Sequence, residues 1–277
     1  MHRPAVPIPP LAAVLTVLAA LAALAPTAPA QAGAEPLCEG FGPQAPRDIS
    51  VKSGANPRGF AAAPPASRMN LCNIHFHVNA EHKGPGFSVP GGEGEHGGWL
   101  CNETAELTAL EREDPLHGHG ACHGLEPGDT VEVHWVHTTC DAGPGAGLGA
   151  CASERCANPQ LRVETQVFLA VNDPEALDFS QFDYAAPDPS IPAAPSQPRA
   201  LPTGFGEPVV FAGSTTGPKY SEQSCSPYQV TWSVRPWCAR VDVMTLHRWC
   251  AENTFEEDHA HGVRRLVVSP ALLSPID

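Results

Sequence analysis

The chain has 277 residues, a formal net charge of −14 and 42% hydrophobic residues. That length suits one sizeable core, and an acidic balance with no run of Lys or Arg argues against a nucleic-acid partner, whose affinity rests on basic contacts. Thirty-one prolines and 25 glycines break up the sequence, so its short, often alternating apolar runs predict a mainly β fold with few short helices in a single domain.

Residues 1–32 read as a secretory signal peptide. Arg3 gives a positive start, residues 11–24 are almost wholly Ala, Leu and Val, and small residues follow as far as Ala34. This apolar run is shorter than the ~20 residues a spanning helix needs. The expectation is cleavage, a domain over residues 33–277 free of the membrane, and a secreted or periplasmic destination. All ten cysteines follow the signal, and an even number in an exported chain predicts disulfides. No C-x-x-C pair is present, which argues against a four-cysteine zinc cluster.

Strands are predicted over residues 73–78, 130–138, 162–171, 207–212 and 229–234, with a weaker one over 265–268. A helix is predicted over 242–251, where Val243, Leu246, Trp249 and Cys250 share a face and Asp242 can cap the start. Three loops stand out: a glycine-rich one over 84–98, one with four glycines over 141–159, and an Ala/Pro/Ser surface excursion over 185–202. Cys151 and Cys156 sit near the end of the second, where a local bridge would pin it.

Asn73-Ile74-His75-Phe76-His77-Val78 carries the strongest local signal. Side chains alternate along a strand, so His75 and His77 share one face while Ile74, Phe76 and Val78 enter a core. In Glu132-Val133-His134-Trp135-Val136-His137, Glu132, His134 and Val136 share a face and His137 points away as a structural residue. If the two strands pair, His134 completes a three-histidine site, the donor set of a catalytic zinc with one position left for water. Glu132 can then orient a ligand through its second ring nitrogen.

These residues resemble carbonic anhydrases. The α class carries an H-F-H strand with two zinc ligands and an E-L-H-L-V-H strand with the third, in the order found here. Gly42-Pro43-Gln44-Ala45-Pro46-Arg47-Asp48-Ile49 resembles that class's G-x-Q-S-P-I-D-I segment. Val167-Phe168-Leu169 resembles its I-F-L strand, and the stretch from Ser224 to Val234 resembles the one ending in V-T-W-x-V. The run from Cys72 to Gly84 is closer still to the δ class, as a member of which the chain is identified. The resemblance implies an α-like central β-sheet, zinc, and hydration of CO2 by zinc-bound hydroxide on three histidines.

It also implies supporting residues. A Ser-Glu-His element lies about ten residues after the second ligand in the α class. Here Glu81-His82 follows sooner and Glu95-His96 later, and Glu81 is preferred. The hydroxyl that meets the metal-bound group is expected at Thr215 or Thr216, from the likeness of 213–218 to G-S-L-T-T-P, although counting back from Cys225 selects Ser221. Cys38 and Cys225 match the places of the bridge in secreted α-class enzymes. His96, His117, His119 and His123 are the candidates for proton transfer, since imidazole titrates near neutral pH.

Two other readings compete. His75-x-His77-x-x-x-Glu81 fits a cupin metal motif, with iron or manganese held by two histidines and a carboxylate, although no second cupin motif follows. Thirteen histidines also suit an exported metal-binding protein, which would fill every coordination position.

Overall fold

The structure is a computed structural model that describes residues 2, 35–93, 97–154, 156, 158–186 and 194–277. The signal-peptide reading and His96 therefore fall outside the described residues. The fold belongs to the unit Pro36–Asp277.

Among the described residues, ten strands and one α-helix follow in order: β1 (Asn70–Val78), β2 (Phe87–Pro90), β3 (Trp99–Cys101), β4 (Thr130–Thr138), β5 (Leu161–Val171), β6 (Tyr184–Ala185), β7 (Gln197–Pro198), β8 (Val209–Ser214), β9 (Gln229–Val234), β10 (Ala239–Asp242) and α1 (Val243–Ala251). A six-stranded mixed sheet forms the centre, in the order β1-β4-β5-β9-β8 with β10 also on β5. β1, β4 and β5 are antiparallel neighbours, whereas β9 and β10 run parallel to successive halves of β5. Mainly β architecture with few helices is as the sequence predicts.

Both faces of the sheet are covered, which is why β4 is buried at every position. On one face Ile74, Phe76, Val131, Val133, Trp135 and Phe168 pack with Val243, Leu246 and Trp249 of α1. The other face holds Val136, Val163, Val167, Leu169, Phe211, Val230 and Trp232. On β5 the odd-numbered residues Val163, Val167 and Leu169 face this second core, while Phe168 faces the first. Asp242 caps α1 as predicted, accepting from Met244 N at 3.0 Å.

Two expectations need correction. Residues 265–268 form no strand, and no bridge joins Cys151 to Cys156. Cys151 pairs with Cys72 on β1 and Cys156 with Cys140 at the end of β4. The loop is therefore sewn to the sheet rather than to itself. Cys38–Cys225, Cys101–Cys238 and Cys122–Cys250 complete the set, so all ten cysteines are paired. The first of these is the pair implied by the α-class likeness. Five disulfides suit an oxidising compartment. Among the described residues, no helix is long and apolar enough to cross a membrane.

Candidate metal centre

The antiparallel register of β1 and β4 sets His75 directly opposite His134, and His77 opposite Glu132. One nitrogen from each of His75, His77 and His134 lies within 4.8 Å of the others. The remaining ring nitrogens are all held. His75 Nδ1 meets Asn73 Oδ1 at 2.6 Å, His77 Nδ1 meets the Gly262 carbonyl at 3.2 Å, and His134 Nε2 meets Glu132 Oε1 at 2.7 Å. The Asn73 amide is oriented in turn, because its Nδ2 donates to Gly145 O at 3.1 Å.

These bonds fix the tautomers. A carbonyl or carboxylate oxygen accepts, so His75 Nδ1, His77 Nδ1 and His134 Nε2 carry the protons. Lone pairs then remain on His75 Nε2, His77 Nε2 and His134 Nδ1. Two of them, His75 Nε2 and His134 Nδ1, stand only 3.2 Å apart. His77 Nε2 is buried without a hydrogen-bond partner. Three converging lone pairs with no donor between them repel, and a shared cation removes the conflict. The residues therefore fit a metal. Three neutral imidazole donors suit a divalent transition metal.

The electrostatics keep the three rings neutral, the state in which imidazole binds a metal. Burial, aided by the neighbouring histidines, lowers His75 well below the ordinary imidazole value. Burial likewise lowers His77, to about 4, and lowers His134 despite the opposing bond to Glu132. Glu132 is itself fully buried. Burial alone would raise its pKa, but His82 and His134 outweigh that and hold it well below the usual carboxylate range. It accepts from His134 Nε2 and His82 Nδ1, each at 2.7 Å, and from His82 N at 3.1 Å.

Glu81 is buried on the same side but is not a member of the three-nitrogen cluster. It stands 3.8 Å from His77 Nδ1, the protonated nitrogen, rather than beside Nε2. Its Oε1 accepts from Arg264 N at 2.9 Å, its Oε2 is buried without a hydrogen-bond partner, and Thr216 lies close to the carboxylate. Burial raises its pKa, while His134, Thr216 and the Arg264 amide oppose the shift. This geometry does not favour the cupin set of His75, His77 and Glu81.

The three hydroxyl candidates separate. Thr216 faces Glu81, Thr215 Oγ1 is bonded to Ser226 Oγ at 2.5 Å, and Ser221 Oγ accepts from Gln223 N and Ser224 N in a turn. The 213–218 segment is braced by Gln44, whose Oε1 accepts from Ser214 Oγ and Ser226 N. The early G-x-Q stretch thus supports the site from outside it.

The histidines line a cavity of about 280 Å³. Its apolar wall comes from Val136, Leu148, Leu161, Val163, Val230 and Trp232, and Thr215, Thr216 and His261 also line it. His117, His119 and His123 are exposed and do not line it. His261 went unnoticed in the sequence. It arrives through the segment that follows α1, with His261 N donating to Phe76 O at 2.9 Å. Its ring lies 5.3 Å from that of His75 and 5.8 Å from that of His77. Its Nε2 bonds Glu257 Oε2 at 3.1 Å, and that bond raises its pKa.

A family model described as Delta carbonic anhydrase matches residues 66–245. The span includes β1, β4, Thr215 and Thr216, while His261, Gly262 and Arg264 lie beyond it. Neither a curated protein nor a solved structure matches the chain.

Proposed function

The chain belongs to the Delta carbonic anhydrase family and is accordingly a carbonic anhydrase, and from that premise we propose that it hydrates CO2 reversibly to bicarbonate and a proton with a zinc ion held by His75 Nε2, His77 Nε2 and His134 Nδ1. The single observation that carries the ligand set is the convergence of three lone pairs whose opposite ring nitrogens are all hydrogen-bonded.

Bound zinc would supply Lewis acidity, bringing the pKa of water down to about 7, an effect for which carbonic anhydrases are themselves the reference case. The chain's own residues do the rest. Asn73, Gly262 O and Glu132 hold the ligand rings, so that little reorganisation is needed when metal binds. Glu81 Oε2 is buried without a partner beside Thr216, and on this reading Thr216 gives it its only proton. The threonine oxygen is then left as an acceptor, able to orient a water or hydroxyl through that group's proton and to disfavour ligands without one. A cation among the three histidines favours ionised Glu81, which this arrangement requires. Val136, Leu161, Val163 and Trp232, whose N–H is spent on Ser214 O, offer CO2 a surface with no free hydrogen-bonding group, where water gains little.

We extend the proposal to location. Export through the signal at residues 1–32 would deliver residues 33–277 to a secreted or periplasmic setting, and the five disulfides support that route.

The test is CO2 hydration by stopped flow, with metal analysis of the same sample, for wild type and His134→Ala. About one zinc per chain and fast hydration, both lost in the variant, support the reading. Iron or manganese retained in His134→Ala but depleted in Glu81→Ala would move the case to a cupin-like site. Zinc bound with no hydration would make the protein a metal binder.

A further inference from the structure

One wall of the cavity is not built by the sheet. Gly147 and Leu148 line it, and both come from the four-glycine loop over 141–159. Leu148 is 45% exposed and packs in neither sheet-face core. A large apolar side chain left half in water at a cavity rim is a cost without a packing return. Loops of this composition are ordinarily mobile, yet this one is fixed at several points. The Cys72–Cys151 disulfide ends the turn that begins at Leu148. Gly145 N donates to Cys72 O at 3.1 Å, and Gly145 O accepts from Asn73, whose other end orients His75. Cys140–Cys156 closes the base of the loop. The loop is therefore held to the strand that carries two of the three histidines.

We propose that Leu148, presented by this disulfide-pinned loop, is the specificity-determining residue that sets the size of ligand and substrate admitted to the cavity. The proposal rests on the three-histidine metal reading. Water activated beside a Lewis acid attacks electrophilic carbonyl carbon in general, so selection of a small linear substrate has to come from excluded volume. At about 280 Å³ the cavity is just below the ~300–1,000 Å³ range of sites for drug-sized ligands. The sheet residues of the wall are locked in a two-faced core, so among its large aliphatic side chains Leu148 is the one whose size can change without disturbing that core. Apolar walls discriminate by about 10–200-fold for small differences in ligand size.

The experiment uses full-length, disulfide-intact, zinc-loaded protein as wild type, Leu148→Ala and Leu148→Trp. Each is titrated calorimetrically with imidazole and with 4-phenylimidazole, two neutral nitrogen donors of different bulk, and the ratio of the two Kd values is read. Leu148→Ala is expected to tighten 4-phenylimidazole about tenfold and Leu148→Trp to weaken it about tenfold, with imidazole changed less than about twofold. A ratio unchanged in both variants overturns the proposal, as does an equal shift for both ligands. A wild type that binds no zinc overturns the metal reading and the proposal with it, and is distinguished by metal analysis before any titration.

Discussion

Glu132→Gln is the sharpest perturbation of the proposed ligand set, because it preserves shape and removes only charge and acceptor capacity. Glu132 accepts three donors in a fully buried place: His134 Nε2 and His82 Nδ1 at Oε1, and His82 N at Oε2. A glutamine has one oxygen. If that oxygen keeps the two imidazoles, its NH2 faces the His82 amide donor, and if it turns round, NH2 faces two imidazole N–H groups. Either way a buried donor is left unmet, which costs about 1–3 kcal/mol of stability. The His134 tautomer also loses its charged anchor. Loss of such an orienting partner typically weakens metal affinity by about 10–100-fold, or about 1.4–2.7 kcal/mol. The assay is competition for zinc against a chromophoric chelator at pH 7.5, with urea unfolding of the metal-free protein measured in parallel. Zinc affinity within about twofold of wild type, in a folded variant, would refute the claim that Glu132 tunes the His134 ligand.

Three further outcomes follow from the same geometry. Thr216→Val should reduce kcat/KM for CO2 by about 100-fold, the scale of losing one positioned hydrogen-bonding group, whereas Thr215→Val, which breaks only the bond to Ser226, should change it less than about threefold; equal effects would remove Thr216 from its assigned role. His137 is buried, bonded through Nδ1 to Trp135 O, and lowered to about 4 by burial. Its unfolded form takes up a proton near pH 6.5 that the fold refuses, so its share of stability falls as pH drops from about 6.5 to about 4, by roughly 3 kcal/mol at most. Urea midpoints of His137→Gln should show a shallower acid decline than wild type over that window. Removing the Cys122–Cys250 bridge as a Cys122→Ala/Cys250→Ala pair should cost about 3–4 kcal/mol by chain entropy, because the remaining Cys101–Cys238 bridge already shortens the 128-residue loop between its partners, and is read as a lowered urea midpoint.

The parts of the site written along single strands were legible in the sequence. Alternation placed His75 and His77 together and set Glu132 and His134 on one face, because a strand's side-chain period is fixed at two. Asp242 signalled a helix start for an equally local reason. Pairing was harder. Cys151 lies only five residues from Cys156, yet the folded loop carries it back to β1, a contact that sequence spacing does not encode. The α-class likeness left three hydroxyl candidates, Thr215, Thr216 and Ser221, and the fold gives them different neighbours: Thr216 lies near Glu81, Thr215 is bonded to Ser226, and Ser221 closes a turn.

The deepest gap concerns the segment after α1, and its cause is physical. Residues 265–268 looked like a weak strand because Leu266, Val267 and Val268 are apolar. The residues just before them carry the site, and two of their contributions are made by the main chain. Gly262 orients His77 through its carbonyl, and Arg264 holds Glu81 through its amide. Every residue but proline offers both groups, so neither side chain advertises the role. What fixes those groups is distant: the Arg264 guanidinium is buried against Ala45 O, Gln44 Oε1 and Ser221 O. A buried guanidinium with these partners resists displacement, since freeing it would leave several donors unmet. The arginine thus sets where its own backbone lies, and its amide is thereby aimed at Glu81. On this argument Arg264→Met should leave the three histidines and zinc content in place while loosening Glu81 and Thr216. It should then lower kcat/KM for CO2 with little change in zinc affinity, whereas a fall in both together would mean that the segment acts through Gly262 and His77 instead.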